Sequence, residues 1–277
     1  MSESVDPTPN ATAIATKRGR SSAVGGRLRQ AWPPVLVLVG VILAWELAVR
    51  YFEVKNYILP TPSSVIVTLF DRWDSSLQSA TFVTLSEVAI GFALSLVTGI
   101  GIAALLHSSH HAQRAVYPLL IGSQTIPIVV IGPILAIIFG YNILPKVILV
   151  TLICFFPIVV TTLDGLASVD PQLKRMMRTL YGTRWSIFRR IEFPAALPSM
   201  FSGIRVAATY AAIGAVFGEY AGSSDGLGYV MIQATPQLKT SVVFSAILLL
   251  TLISVCLFLL VSLAERLLVP WAREGKK

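Results

Sequence analysis

The side chains able to do chemistry in this chain are few and scattered. The three histidines, His107, His110 and His111, form one small group, but no carboxylate or cysteine stands beside them, so a solvated turn is expected rather than a metal centre. Cys154 and Cys256 are the only cysteines; both lie in apolar runs and are read as small buried side chains with no disulfide. Nothing reads G-x-x-x-x-G-K-[ST], so any nucleotide hydrolysis belongs to another chain. No set of catalytic side chains gathers at one end of the apolar stretches, which argues against an embedded enzyme. What remains is positional chemistry. A polar group inside an apolar span must find a hydrogen bond or water, which makes Gln124, Thr125, Tyr210 and Glu219 candidates to line a solute path. Pro127, with Gly132 and Pro133 after it, would loosen the helix carrying the first two. For Glu219 a second reading stands: Gly214, Gly218 and Gly222, four apart, let helices pack closely and leave the carboxylate solvated at the outer interface. Glu46 and Glu87 read as structural.

The elements that must position these groups follow from composition. Of 277 residues, 55% are hydrophobic and 13% charged, and the mean hydropathy is +0.74. A soluble domain of this size has no use for so much apolar surface, so a polytopic membrane protein is expected. Apolar runs at 33–51, 80–106, 115–139, 144–163, 199–221 and 241–264 are each long enough to cross a bilayer, giving six predicted spans. The net charge of +8 does not imply a nucleic-acid partner, because the basic residues fall between and beside these runs. The tail 1–31, the 107–114 turn, the 164–198 interval and the C-terminal end are rich in Lys and Arg. These far outnumber the Lys and Arg on the other side, essentially Arg50, Lys55, Arg72, Lys146 and Lys239, so both termini are expected in the cytoplasm.

Residues 1–31, rich in Ser, Thr, Ala, Pro and Gly, are expected to be a disordered basic tail. Basic residues before an apolar run also suit a signal peptide, but no small-residue cleavage site follows, so a retained span is expected. Thr61 and Pro62 begin a short amphipathic helix expected to lie in the outer interface.

The interval 164–198 is the long polar stretch between apolar runs, and it has its own order. Asp170 and Pro171 start a helix in which Leu173, Met176, Met177 and Leu180 share one side against Lys174, Arg175 and Arg178. Gly182 is expected to close that helix in a left-handed conformation, and Thr183 to cap the next. Trp185, Phe188 and Ile191 form a second apolar side that Pro194 is expected to end. A connection between two spans needs only a few polar residues; two helices with Met and Trp on their apolar sides imply a partner that covers them.

The run RTLYGTRWSIFRRIEFPAALP resembles the cytoplasmic "EAA" loop of permease subunits of bacterial binding-protein-dependent ABC importers. Ile191, Glu192, Phe193 and Pro194 match its Ile-x-Leu-Pro end, with Phe for Leu. The head departs: Arg175, Met176 and Met177 stand in place of Glu-Ala-Ala, and Gly182 comes one step late, with Tyr181 at the Gly position. The segment Leu59, Pro60, Thr61, Pro62, Ser63 resembles the nitrate, sulfonate and taurine branch. The run ATYAAIGAVFGEYAGSSDGLGYVM resembles the branch handling the thiamine pyrimidine precursor or riboflavin.

The resemblance implies an all-α integral membrane protein with the type I ABC importer permease fold. It implies a six-span permease domain over 32–270, a coupling loop at 164–198 and a short cytoplasmic tail at 271–277. It further implies a multi-pass inner-membrane subunit that is not itself an enzyme and holds no cofactor. The implied partners are a pair of ATPase subunits that bind ATP, an extracytoplasmic binding protein and a second, commonly identical, permease chain within the lipid bilayer. The ATPase contact is expected at Thr179, Tyr181, Gly182, Thr183, Arg184, Trp185, Phe188 and Pro194. The solute is expected to be a thiamine pyrimidine precursor or riboflavin-like, then nitrate, sulfonate or taurine. The alternative, a secondary transporter driven by an ion gradient, would require internal pseudo-symmetry and paired midplane ionisable groups. No convincing repeat is found, and the acidic candidates do not group in the sequence.

Overall fold

The computed structural model describes residues 23–180 and 182–271, with side chains from Trp32 onward. Among these residues the chain is helical throughout: α1 (Ala23–Tyr51), α2 (Pro62–Asp71), α3 (Gln78–Ser108), α4 (His110–Ser123), α5 (Ile128–Phe139), α6 (Ile143–Ala167), α7 (Pro171–Thr179), α8 (Arg184–Ile187), α9 (Phe193–Tyr220), α10 (Leu227–Ala234) and α11 (Thr240–Leu268). Single π-helical turns, Trp73–Leu77 and Phe188–Glu192, lead into α3 and α9. The predicted tail at 1–31 lies mostly outside the described residues, as does 272–277; helical backbone begins at Ala23, ahead of the predicted boundary.

Among the described residues five helices are long and apolar enough to cross a membrane, and the sixth predicted span is a bent pair. Between α4 and α5 the axis turns by 96° at residues 124–127, so 115–139 is not a straight crossing. The cause is local. Pro127 has no N–H to continue the ladder and restricts Ile126 before it, and α5 restarts after Pro127 with fresh hydrogen bonds.

α6 and α9 form the centre of the bundle, with α3 against α6, and α11 and α10 against α9. Small residues allow this closeness. A Cβ on Gly214 would stand 2.8 Å from Val150 Cα, and one on Gly218 would stand 2.8 Å from Lys146 Cα, so the four-residue spacing read in the sequence lies on the α6 contact. Gly222 is different: its φ of +135° marks the turn after α9. Gly214→Leu is expected to destabilise the chain by about 1–3 kcal/mol through overpacking. A lowered thermal midpoint of the purified protein in detergent would show it.

α11 is tied to its neighbours at both ends. Arg205 of α9 pairs with Glu265 of α11, and Ser245 Oγ donates to Val65 O of α2 at 2.9 Å. α1 is peripheral: among its described side chains Val49 is the buried one, and Trp45 meets Phe244 of α11 with ring centroids 5.7 Å apart. Glu46 accepts from Ser63 N at 3.0 Å and Arg50 Nε at 2.7 Å, tying α1 to the start of α2, as a structural role requires. Cys154 is buried, but Cys256 is exposed on α11, contrary to the expectation that both are buried. An apolar run identifies a span without saying which of its faces meets protein.

Candidate functional site

The α7–α8 pair assembles from local rules. Asp170 Oδ1 accepts from Gln172 N at 2.7 Å, with Pro171 in the first turn of α7. Thr179 Oγ1 donates back to Met176 O at 2.7 Å, and Thr183 Oγ1 accepts from Ser186 N at 3.2 Å to start α8. Gly182 does close α7, its N–H donating to Met177 O at 3.0 Å, but it is absent from the glycines of positive φ. Closeness is what demands glycine: a Cβ there would fall 2.6 Å from Met177 O. Pro194 does not end a helix either. The π-helical turn Phe188–Glu192 and the Phe193 N–H bond to Phe188 O carry the axis around the proline, and Arg184–Tyr220 runs as one helix. At 37 residues it is about 55 Å long, well over the thickness of a hydrocarbon core of about 30 Å.

One face of this pair is anchored and the other is open. Ile187 is buried, and Glu192 forms a clasp, with Lys174 Nζ 2.8 Å from its Oε1 and His107 Nε2 3.1 Å from its Oε2. The clasp joins the end of α3 to α7 and to the π-helical turn; His107 is thus a partly buried partner, not a solvated turn residue. Leu173, Met176, Leu180 and Trp185 are exposed, Trp185 at 67%, and Trp185 stacks on Phe188 at 5.8 Å. Tyr181, expected beside them, lies outside the described residues. The Lys174–Glu192 pair is shielded more than a typical surface pair. A double-mutant cycle of Lys174→Ala and Glu192→Ala is therefore expected to give a coupling of about 1 kcal/mol. Additive shifts of the thermal midpoint would contradict that.

At the opposite end of the bundle a second polar set is buried. Lys146 Nζ lies 2.8 Å from Glu87 Oε1, in ion-pair range although neither Glu87 oxygen has an aligned hydrogen bond. The same ammonium donates to Ser223 Oγ at 2.6 Å. Thr84 Oγ1 donates to Glu219 Oε1 at 2.5 Å, and the Gly228 N–H donates to Glu219 Oε2. Leu227 N donates to Thr84 Oγ1 at 2.9 Å, so Thr84 and Glu219 together hold the first turn of α10. A carboxylate at a helix N-terminus is well placed for this. Gly226, at φ +111°, and Gly228 leave room for it, since a Cβ on Gly228 would come within 2.7 Å of Glu219 Oε2.

Residues 95–274 match the family described as the binding-protein-dependent transport system inner membrane component. The chain belongs to this permease family. Among curated relatives of the permease, the formylaminopyrimidine transport permease protein ThiX of Halalkalibacterium halodurans is 36% identical over 248 residues, covering 90% of this chain and 99% of the relative. The riboflavin transport system permease protein RibX of Chloroflexus aurantiacus is 32% identical over 87% of this chain and 91% of its own length. The putative aliphatic sulfonates transport permease protein SsuC of Bacillus subtilis is 30% identical over 96% and 94%. A solved structure of the MetNI methionine ABC transporter in inward-facing conformations aligns with a TM-score of 0.56 at 18% identity, covering 67% of this chain and 94% of that one, a likeness of fold.

As a permease, the chain is a multi-pass inner-membrane transport subunit and not an enzyme. Within it, Thr179, Gly182, Thr183, Arg184, Trp185 and Phe188 are brought together at α7–α8, with Pro194 just beyond. Gln124, Thr125 and Pro127 sit exposed at the α4–α5 break, and Tyr210 is exposed on α9. No side-chain hydrogen bond joins Gln124, Thr125 and Tyr210 to one another among the described residues; Thr125 Oγ1 turns back to Gly122 O at 2.8 Å. Glu219 is neither open to a path nor solvated: it is 1% exposed, with both oxygens engaged. Sequence reading missed the set around it. Glu87, isolated in an apolar span, signals that a cationic partner exists, but nothing local points to Lys146.

Proposed function

We propose that this permease works in an ATP-driven importer of a formylaminopyrimidine-like thiamine precursor, with a flavin-like solute as the nearest alternative. The supporting observation is the alignment with the formylaminopyrimidine permease, which spans 99% of that relative at a higher identity than the riboflavin and sulfonate relatives show. In this reading two copies of the chain pair to form the path, with Gln124, Thr125, Pro127 and Tyr210 on the surfaces that face it. A separate pair of subunits binds ATP, and a soluble binding protein delivers the solute at the α10 end. Both termini and the α7–α8 pair lie in the cytoplasm, where the exposed face of Met176, Leu180, Arg184 and Trp185 docks on an ATPase subunit. Closure of the ATPase pair then shifts this face, and its differential contacts in the two states drive the rearrangement of the spans.

Uptake by the reconstituted complex in proteoliposomes tests the solute. Labelled formylaminopyrimidine is expected to accumulate in an ATP-dependent manner, with little uptake of aliphatic sulfonates. Sulfonate uptake without pyrimidine uptake would move the chain to the other branch.

A further inference from the structure

We infer that the cleft between the α1–α2 connection and the α10–α11 turn grips the soluble binding protein, with Leu238 as the apolar anchor. The chain leaves α10 through a paired C-terminal cap: the Leu238 N–H donates to Thr235 O at 3.0 Å and the Lys239 N–H to Ala234 O at 3.1 Å. That pattern places Leu238 where glycine is usual, and its φ is +57°. A leucine there carries a backbone cost that a glycine would not. No burial within the chain offsets it, because Leu238 is 63% exposed. Outliers of this kind cluster at clamps and contact sites, where the side chain serves something outside the fold.

The cleft beside it has a volume of about 530 Å³ and a fixed frame. Thr240 Oγ1 donates to Tyr57 O at 2.6 Å, joining the two walls, and Ser245 Oγ holds α11 to α2. The lining selects the occupant. Asn56, Thr68, Asp71, Arg72, Lys239 and Ser241 give a polar interior that an acyl chain would leave unsatisfied. Asp71, Arg72 and Lys239 are in no ion pair among the described residues, so two cations face one anion and a carboxylate on the partner is favoured. A second copy of this chain would bring the same excess of cations against the cleft across a two-fold axis. Membership of a binding-protein-dependent family calls for a soluble partner, and this inference rests on the reading that it delivers solute at the α10 end.

Affinity of the cognate binding protein for the permease–ATPase complex in lipid nanodiscs is the test, with thermal midpoints measured alongside. Leu238→Gly relieves the backbone, so the variant is expected to be at least as stable as the parent while binding about tenfold more weakly. A residue with a structural role alone would not separate the two readouts in that direction. Lys239→Glu is expected to lower the affinity about tenfold as well, and to reduce the weakening that added salt causes in the parent. Undiminished affinity in Leu238→Gly would overturn the inference while leaving delivery by a binding protein standing. Loss of affinity together with dissociation of the permease pair would overturn it by giving the face to a second copy. Failure of the unaltered complex to bind at all would remove the delivery reading and this inference with it.

Discussion

Lys146→Met is expected to destabilise the permease by about 3–5 kcal/mol, the cost of leaving a buried charge without its partner. Glu87 and Glu219 are each 1% exposed, and Lys146 is the cation in salt-bridge contact with Glu87. Glu219 keeps Thr84 and the Gly228 N–H when the ammonium is removed, whereas Glu87 loses the one cation in contact with it and has no aligned hydrogen bond on either oxygen. The loss should therefore fall on Glu87. The double variant Lys146→Met with Glu87→Gln is expected to recover most of the lost stability, because Glu87 then carries no charge and Glu219 keeps its hydrogen bonds to Thr84 and the Gly228 N–H. Thermal midpoints of the purified variants in one detergent measure both effects. An unchanged midpoint for Lys146→Met would mean that the ion pair contributes nothing to the fold.

Gly182→Val is expected to leave expression and membrane insertion intact while lowering ATP-driven uptake about tenfold, the scale of a lost coupling free energy of about 1–3 kcal/mol. The clash is with the backbone: any Cβ would sit 2.6 Å from Met177 O, and the hydrogen bond that closes α7 would have to open. The spans do not depend on that turn, so the damage is confined to how α7 is set against α8. Gly182→Ala shares the close contact and is expected to show a milder form of the same defect. ATP hydrolysis should continue in both variants without matching uptake. Normal uptake by the Val variant at normal expression would refute the role given to the turn.

The local features of this chain are written in neighbouring residues and were legible as such. Thr61, Asp170 and Thr183 each accept the N–H two or three positions on, as their types and the residues after them imply. The apolar runs located the spans for the same reason, because a bilayer-length run needs no knowledge of what it packs against. What escaped depended on distant parts of the chain. Lys146 reads in the sequence as a charge at the outer end of a span, yet it is buried against Glu87, and the two are brought together only when α3 packs on α6. Glu219 offered two readings and took neither, because the turn at Gly226 folds α10 back onto it. At Gly182 and Pro194 the residues were noticed for the wrong reasons. Carbonyl crowding, not a left-handed φ, selects the glycine, and a π-helical turn takes up the proline that should have ended the helix. The breakers at 124–127 predict a loosening but not a 96° bend, since Pro127 interrupts the helix without specifying the angle at which α5 restarts.

The proposed mechanism stands on one contact, between the exposed face of α7–α8 and an ATPase subunit. Its most direct measurement is the affinity of that subunit for the permease in lipid nanodiscs, with and without the combined substitutions Met176→Ser, Leu180→Ser and Trp185→Ala. A loss of about hundredfold, as for the removal of a central cluster of anchoring side chains, is the predicted result. Undiminished affinity in that variant, with a folded and monodisperse permease, would contradict it.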